Sequence, residues 1–506
     1  MATRPGVVVT GLDPDLVRGV DPSRRVPSFA DHVAAGGGSA LEAARRAGGD
    51  AVLAALAASG LRGRGGAGFP TATKWATVAA NRSTQVATTV VVNAAEGEPG
   101  TFKDRAILRA DPFTVLEGAL IAAGVAGADA VVVATKASFT DELALLRSAI
   151  TEIRSAGWAD GIDLDVVEGP AAYLFGEETG LLEVLAGRGP FPRVAPPYRQ
   201  GLDTPMEAHS SGRVPMAGAG ESTAAAPTLV NNVETFANVA GIVLEGPDWF
   251  RAVGTPESPG TVVCTVTGAA ERHGVAAFPM GTPLREVLDV IGGDGTADRA
   301  VAVLSGVANP LLPADRLDAP VSFEGLAEAG AGLGSAGFVV FDEGDDLAAV
   351  AEGVSRFLAV ESCGQCTPCK EDGLAMAEAL VRVRTSRATE LDLVALADRA
   401  ATVALEARCS LATQHQVVLE SVLRHFPGAL DAHVHGGAPA AAPYVIAPLA
   451  GFDDEEQAVL DDAQVAKRPD WSVGADEWTP GDEWSGAYPA AGGADVGTAE
   501  GAEREE

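Results

Sequence analysis

The chain has 506 residues, 47% of them hydrophobic, and a formal charge of −33. That length suits about three domains, and the excess of carboxylates argues against nucleic acid, because a phosphate backbone would be repelled and no long Lys/Arg cluster offsets the repulsion. No stretch reaches the roughly 18 consecutive apolar residues of a membrane span, the opening Met-Ala-Thr-Arg-Pro-Gly lacks the layout of a signal peptide, and five cysteines in all suit a reducing, cytoplasmic setting.

In chain order, apolar residues recur with helical spacing from Ala40 to Ala58 and stop at Ser59-Gly60, so 1–59 reads as an N-terminal helical segment. Gly-Leu-Arg-Gly-Arg-Gly-Gly-Ala-Gly-Phe-Pro-Thr (60–71) then places five glycines in nine residues. Such a loop lets the backbone approach a flat or phosphorylated ligand, its bare N–H groups form an anion nest, and Lys74 is a nearby cation. It does not follow a strand as the Rossmann glycine spacing requires, and a tight structural turn would use similar glycines. Short β-branched runs at Val86–Val92 and Ala130–Ala134 flank a helical segment, Pro112–Gly124. Helical spacing returns from Thr140 to Ala156, and a strand at Ile162–Val167 leads to Gly176-Glu177-Glu178-Thr179 and an apolar helix, Gly180–Leu185. This alternation predicts a helix-covered parallel sheet within 60–250. Asn93-Ala-Ala-Glu-Gly-Glu-Pro-Gly100 follows the first strand, where an open α/β sheet places ligand contacts. Asn231-Asn232-Val-Glu-Thr235 offers paired amides, which match the carbonyls and N–H groups of a flavin ring or cap the helix that starts near Glu234.

Between 255 and 342 the texture is short strands and turns around one helix, Leu284–Ile291. From Asp345 to His425 helical spacing marks Leu347–Val360, Leu374–Val383, Leu391–Arg408 and Gln416–His425, a four-helix bundle. Between its first two helices, Glu-Ser-Cys-Gly-Gln-Cys-Thr-Pro-Cys (361–369) sets Cys363, Cys366 and Cys369 three residues apart, and Cys409 follows 40 residues later. Three thiolates from one turn and a fourth from a distant segment suit an iron–sulfur cubane. A structural zinc site also takes four cysteines, usually as two separated Cys-x-x-Cys pairs. Cys264, in Thr-Val-Val-Cys-Thr-Val, reads as a buried small hydrophobe. Residues 451–506 hold 16 Asp and Glu against 3 Lys and Arg. With Gly, Ala and Pro abundant there, 433–506 reads as an acidic tail largely without fixed structure. Its Trp471, Trp478 and Trp484 suit either docking on this chain or a partner, or no role at all.

The segments 60–71, Glu-Pro-Gly-Thr-Phe-Lys-Asp-Arg (98–105), Gly-Glu-Glu-Thr (176–179), Asn-Asn-Val-Glu-Thr (231–235) and 361–369 together resemble the NADH-binding flavoprotein subunit of respiratory complex I and the diaphorase subunits of NAD-linked hydrogenases and formate dehydrogenases. The likeness covers about residues 30 to 430. It implies an α/β plus α architecture: a Rossmann-like FMN and NADH domain (60–250), a small ubiquitin-like β-grasp domain of the SLBB type (255–342), and a helical bundle holding a [4Fe-4S] cluster (343–432). By motif match, Gly63, Arg64, Gly65, Gly66 and Lys74 line the flavin and nucleotide site. Asn93, Glu96, Tyr173, Gly176, Glu177, Glu178, Asn231, Asn232 and Thr235 surround the FMN, Phe69 and Glu98 lie towards the nicotinamide nucleotide, and Cys363, Cys366, Cys369 and Cys409 ligate the cluster.

The resemblance also implies a mechanism. NADH gives up two electrons as a hydride while a cluster accepts one, so the flavin stands between them, with Glu96 and Glu178 acting by charge and hydrogen bonding. Partners would be other subunits of an electron-transfer complex, including a thioredoxin-like [2Fe-2S] subunit or a ferredoxin-like protein, with the chain peripheral on the cytoplasmic face of a membrane. The family usually has Asp where this chain has Ala95, and a basic residue where it has Ala195, with Arg188, Arg193 and Arg199 nearby. The 199–226 segment is longer than usual, and the tail after about 436 has no counterpart. Two other readings stay open: a paralogous subunit with altered NADH binding, and a zinc-stabilised scaffold.

Overall fold

The computed structural model describes residues 16–82, 86–193 and 227–469. Its first layer is a four-stranded, wholly parallel sheet of β1 (Thr89–Ala94), β2 (Ala130–Lys136), β3 (Asp163–Gly169) and β4 (Thr228–Asn232), in the order β3-β2-β1-β4. Val90, Val91 and Val92 are fully buried. An unbroken β-branched run of this kind marks a strand covered on both faces, as crossover helices require. One cover is helix Pro112–Ala126, whose start is fixed by Asp111 accepting from the amides of Phe113 (3.0 Å) and Thr114 (3.1 Å). The helical stretch expected at 40–58 is two helices, Ser39–Ala47 and Gly49–Ser59. Gly48 separates them because its φ of +85° lies outside the right-handed helical region.

The second layer is a five-stranded mixed sheet of β5 (Thr261–Gly268), β6 (Gly274–Pro279), β7 (Ala300–Ser305), β8 (Leu311–Pro313) and β9 (Gly337–Asp342), ordered β6-β5-β9-β7-β8. Only β5 and β9 run parallel; the other neighbours are antiparallel. Helix Leu284–Gly292 packs on it through Leu284, Val287, Leu288 and Ile291, sharing a core with Cys264, Phe278 and Phe338. Cys264 is wholly buried, as its apolar run predicts. Two short helices, Thr296–Arg299 and Phe323–Glu328, accompany the one that periodicity marks.

The bundle contains Leu347–Glu361, Thr367–Arg384, Glu390–Thr402 and Leu411–His425, plus a short fifth helix, Pro427–Val434. Past it, the expectation of a tail without structure from 433 fails over its first part. β10 (Leu449–Phe452) and β11 (Ala458–Leu460) form an antiparallel pair, and a helix follows at Asp462–Ala466. Acidic composition misled because the packing here uses few residues: Leu449 and Phe452 join the core of the first domain. Trp471, Trp478 and Trp484 lie outside the described residues. No helix among the described residues is long and apolar enough to cross a membrane.

Candidate functional site

β1 sits between β2 and β4, so the chain leaves it for one side of the sheet and returns on the other. In such sheets the carboxyl ends of the two strands diverge and leave a crevice for a ligand. Asn93 on β1 and Asn232 on β4 pair across its floor. The glycine loop packs over the β4 side: the Arg64 amide donates to Thr235 Oγ1 (2.9 Å), and a Cβ at Gly65 would stand 3.1 Å from Asn232 Cβ. Its base is closed by Gly63 N donating to Phe69 O (2.9 Å) and Thr71 N to Leu61 O (3.0 Å). Gly68 has φ +61°, and a Cβ there would meet the Phe323 ring at 2.5 Å, so no other residue fits. Gly65 and Ala67 are exposed at the tip, and the amides of Gly65 and Gly66 have no protein acceptor among the described residues. A bare glycine tip of this sort is a nest for an anionic or carbonyl-bearing ligand.

The polar side chains picked out by sequence are largely bonded to one another. Asn93 Nδ2 donates to Gly176 O (2.9 Å), and Asn231 Oδ1 accepts from Trp75 Nε1 (2.8 Å). Asn232 does what a capping Asn does, accepting the Glu234 amide (3.0 Å), but it also accepts from Lys103 Nζ (3.0 Å) and donates to Asp104 (2.7 Å). Lys103, almost wholly buried, further pairs with Asp104 (2.7 Å) and Glu234 (3.0 Å). Burial opposes its charge, and those two carboxylates outweigh burial and raise its pKa. Burial, with Glu96 close by, pushes Asp104 up to about 6 against the pull of Lys103. Glu96 accepts from the Asp104 amide (2.9 Å) and Arg105 Nε (2.8 Å). Glu177 caps helix Glu178–Leu185 through the amides of Thr179 and Gly180. Lys74 pairs with Glu178 (2.6 Å) at a partly open rim, and Phe69 is 54% exposed.

Two residues point away from the role the resemblance implies. The Arg64 guanidinium donates to the carbonyls of Pro259 (2.9 Å) and Thr261 (3.2 Å), clamping the loop to the start of β5, and burial lowers its pKa to about 10. The Glu98 carboxylate accepts from Tyr173 Oη (2.6 Å) and is packed against Gly306, where burial holds its pKa above the usual carboxylate range. Ala95 is buried in an apolar cluster with Val91, Val132, Phe175 and Leu181. Arg188 and Arg193 both pair with Glu183. Ala195, Arg199 and the long 199–226 segment lie outside the described residues.

At the head of the bundle Cys363, Cys366, Cys369 and Cys409 line one cavity with Leu174, Ser362, Ala407, Arg408, Leu411 and Ala412. Burial pushes the Cys369 thiol up to about 11 and the Cys409 thiol to about 12. Gln365 Nε2 donates to Cys363 Sγ (3.3 Å), and Ser362 Oγ lies 3.3 Å from Cys369 Sγ. Such bonds tune a cluster's sulfurs. Among the described residues no three His, Cys, Asp or Glu side chains gather tightly enough for a single metal ion. Four thiols around one cavity make the ligand number that an iron–sulfur cluster takes. The turn Tyr173–Gly176 touches both sites, since Gly176 meets Asn93 while Leu174 lines the cysteine cavity. Sequence reasoning passed over Leu174 and Glu361, whose Oε2 accepts the Tyr173 amide (2.9 Å); an apolar residue and a helix-end Glu carry no signal of their own.

Residues 56–241 match the Nuo51 FMN-binding domain, and 349–433 match the NADH-ubiquinone oxidoreductase-F iron-sulfur binding region. The chain is 36% identical to the F subunit of the NADH-quinone oxidoreductase of Mycobacterium bovis, over 77% of this chain and 85% of that one. It is equally identical to the HndC subunit of the NADP-reducing hydrogenase of Solidesulfovibrio fructosivorans, over 74% of each. The fold is similar to that of an NAD+-reducing [NiFe]-hydrogenase in the H2-reduced state, with TM-score 0.69 and 34% identity over 79% of this chain; the match spans 66% of that solved chain. The chain therefore belongs to the family of NADH-quinone oxidoreductase F subunits and hydrogenase diaphorase subunits, the FMN- and [4Fe-4S]-dependent NADH oxidoreductases.

Proposed function

We propose that this chain takes a hydride from NADH in the β1–β4 crevice and releases electrons one at a time, through the cavity of the four cysteines, to partner subunits of an electron-transfer complex. The observation that carries this reading is the turn Tyr173–Gly176, which joins the crevice to the cysteine cavity within four residues. When bound, FMN supplies the conversion of a two-electron donor into single electrons, and the [4Fe-4S] cluster supplies a one-electron acceptor.

The protein's own part is binding, orientation and charge. Gly63, Gly65 and Gly66 offer backbone to the flavin and its phosphate, and Lys74 with Glu178 forms the rim that nucleotide passes. Asn93, Gly176, Asn231, Asn232 and Thr235 hold the crevice walls, with Glu96 and Glu177 fixing the loops behind them. Phe69 suits the nucleotide side because it is exposed beside the loop, whereas Glu98 and Tyr173 act as a bonded pair. Cys363, Cys366, Cys369 and Cys409 are the cluster ligands. The order β6-β5-β9-β7-β8, with one helix across it, supports a ubiquitin-like β-grasp for 255–342, and the four parallel strands support a Rossmann-like flavin domain. A thioredoxin-like [2Fe-2S] subunit or a ferredoxin-like protein is the fitting partner, with the assembly on the cytoplasmic face of the membrane. Anaerobic titration of reconstituted protein with NADH tests the reading: the flavin band should bleach and a reduced-cluster paramagnetic signal should grow in. Iron-replete protein whose flavin is untouched by NADH would overturn it.

A further inference from the structure

The first helix of the bundle ends in an awkward place for a charge. Glu361 closes helix Leu347–Glu361, its side chain is 2% exposed, and it stands two residues before Cys363. A carboxylate at a helix C-terminus faces the negative end of the dipole, and burial away from water adds to the cost unless a cation is in contact. That cation comes from the far end of the described chain. Lys467 Nζ lies 2.8 Å from both carboxylate oxygens of Glu361, whose Oε2 also accepts the Tyr173 amide. The strap that delivers Lys467 is fastened at each side: Arg356 donates to the carbonyls of Val465 (3.4 Å) and Lys467 (3.2 Å), and Gln464 Nε2 donates to Ala171 O (2.5 Å). Upstream, Arg105 Nη1 donates to Leu449 O (2.8 Å) while its Nε holds Glu96, Phe452 packs edge-on against Phe102 at 5.2 Å, and the Ala458 amide donates to His273 Nδ1 (2.8 Å). The whole strap lies beyond residue 433, where the matched iron–sulfur region ends.

We infer that Lys467 is a positioning residue for electron transfer, supplied by the C-terminal strap: through Glu361 it fixes the Tyr173–Gly176 turn against the cysteine loop and sets the charge beside the cluster. The carboxylate is the pivot. One oxygen holds the turn that touches the crevice, and the helix that ends in it leads directly into the three-cysteine run. With Lys467 in place the pair is neutral. Without it, Glu361 loses its contact cation, which leaves more negative charge near the cluster and disfavours adding an electron, while the turn loses the neutralised anchor that its amide needs. Lys136, buried on β2 within electrostatic reach of Glu361, Lys467 and Asp461, belongs to the same group of charges but makes no ion-pair contact with Glu361, so that contact is the strap's.

This inference rests on the four cysteines holding a cluster. The test uses the full-length protein with FMN and cluster reconstituted, in the parent, Lys467→Met and Lys467→Arg, with iron content and the cluster's reduction potential measured by redox titration, and amide exchange of residues 173–176 followed in parallel. Lys467→Met should keep its iron, shift the cluster to a lower potential and speed exchange at the turn, and Lys467→Arg should restore both towards the parent. Equal potentials and equal exchange in parent and Lys467→Met would overturn the inference. A parent that binds no iron would instead sink the cluster reading beneath it. Should Lys467→Met fail to fold, the arginine variant still decides: a lysine that acts by charge and reach tolerates Arg, and a shift as large as that expected of Met would overturn the assignment.

Discussion

The β1–β4 crevice and the cysteine cavity lie on either side of one four-residue turn, yet they are built in opposite ways. At the cavity, the reactive groups are side chains with little other work in the fold, brought together from a loop and a distant segment around a common centre. At the crevice, the polar side chains hold each other: Asn232 to Asp104 and Lys103, Asn231 to Trp75, Asn93 to Gly176. What remains for a ligand there is mostly backbone, at Gly65 and Gly66. A site made of ligating side chains collapses when one is removed, whereas a site made of backbone fails when the scaffold behind it fails.

The sharpest break of that contrast is at Cys409. Cys409→Ala should lose most of its iron, its broad visible absorption and its reduced-state paramagnetic signal while retaining FMN, whereas Cys264→Ala, buried in the β domain, should keep its iron and lose about 1 kcal/mol of stability. Metal analysis and flavin content on the purified variants decide it.

On the crevice side the largest effect is expected behind the ligand. Lys103→Met leaves Asp104 and Glu234 buried without their cation, and breaking a buried pair from one side typically costs about 3–5 kcal/mol. Urea denaturation should show that loss, with flavin binding falling as the scaffold loosens. A variant as stable as the parent would mean that Lys103 serves the ligand after all.

A second buried charge, away from both regions, offers a comparison with Lys103. His32 lies against Asp111 (3.2 Å) and Glu117 (3.5 Å). Burial works against its charged form, but the hydrogen bonds and charges of those carboxylates prevail and raise its pKa from 6.5 to about 9. Because the folded value is the higher one, the stabilisation is complete below the unfolded pKa and disappears as pH climbs through the folded one, about 3 kcal/mol in all. Denaturation at pH 6, 8 and 10 should follow that decline, and His32→Gln should flatten it.

Ala95→Asp restores the family's usual carboxylate, but into the apolar cluster of Val91, Val132, Phe175 and Leu181. It should cost about 1–3 kcal/mol without tightening NADH binding. A gain in NADH affinity at unchanged stability would show that the neighbouring loops can open a polar pocket there. The smallest effect is expected at the rim: Lys74→Ala removes a partly exposed pair worth little to the fold, so the melting temperature should hold while nucleotide binding weakens about tenfold, or about 1.4 kcal/mol.

The same contrast explains what could be read from residues alone. Three cysteines at fixed spacing are a chemical statement that needs no fold to interpret, and the parallel sheet announced itself through Val90–Val92 and the helix-spaced segments between strands. The glycine loop was legible as tightly turned backbone, because only close approach or positive φ demands so many glycines. The intramolecular partners of Arg64, Glu98 and Glu177 were not legible, because a charged residue in a motif reads as a ligand contact until the competing partner is seen, here the carbonyls of Pro259 and Thr261, the Tyr173 hydroxyl and the helix amides. The strap was least legible of all. Its contacts are made by scattered residues, Leu449, Phe452, Gln464 and Lys467, set in an acidic stretch whose average composition speaks for disorder.

The strap also imposes an order on assembly. Every residue that surrounds the cysteine cavity is synthesised before Lys467, which follows Cys409 by 58 residues. Until the strap has emerged, Glu361 holds the Tyr173 amide without its lysine partner. The lysine contact to Glu361 is therefore among the last of the contacts around the Tyr173–Gly176 turn that the chain can make.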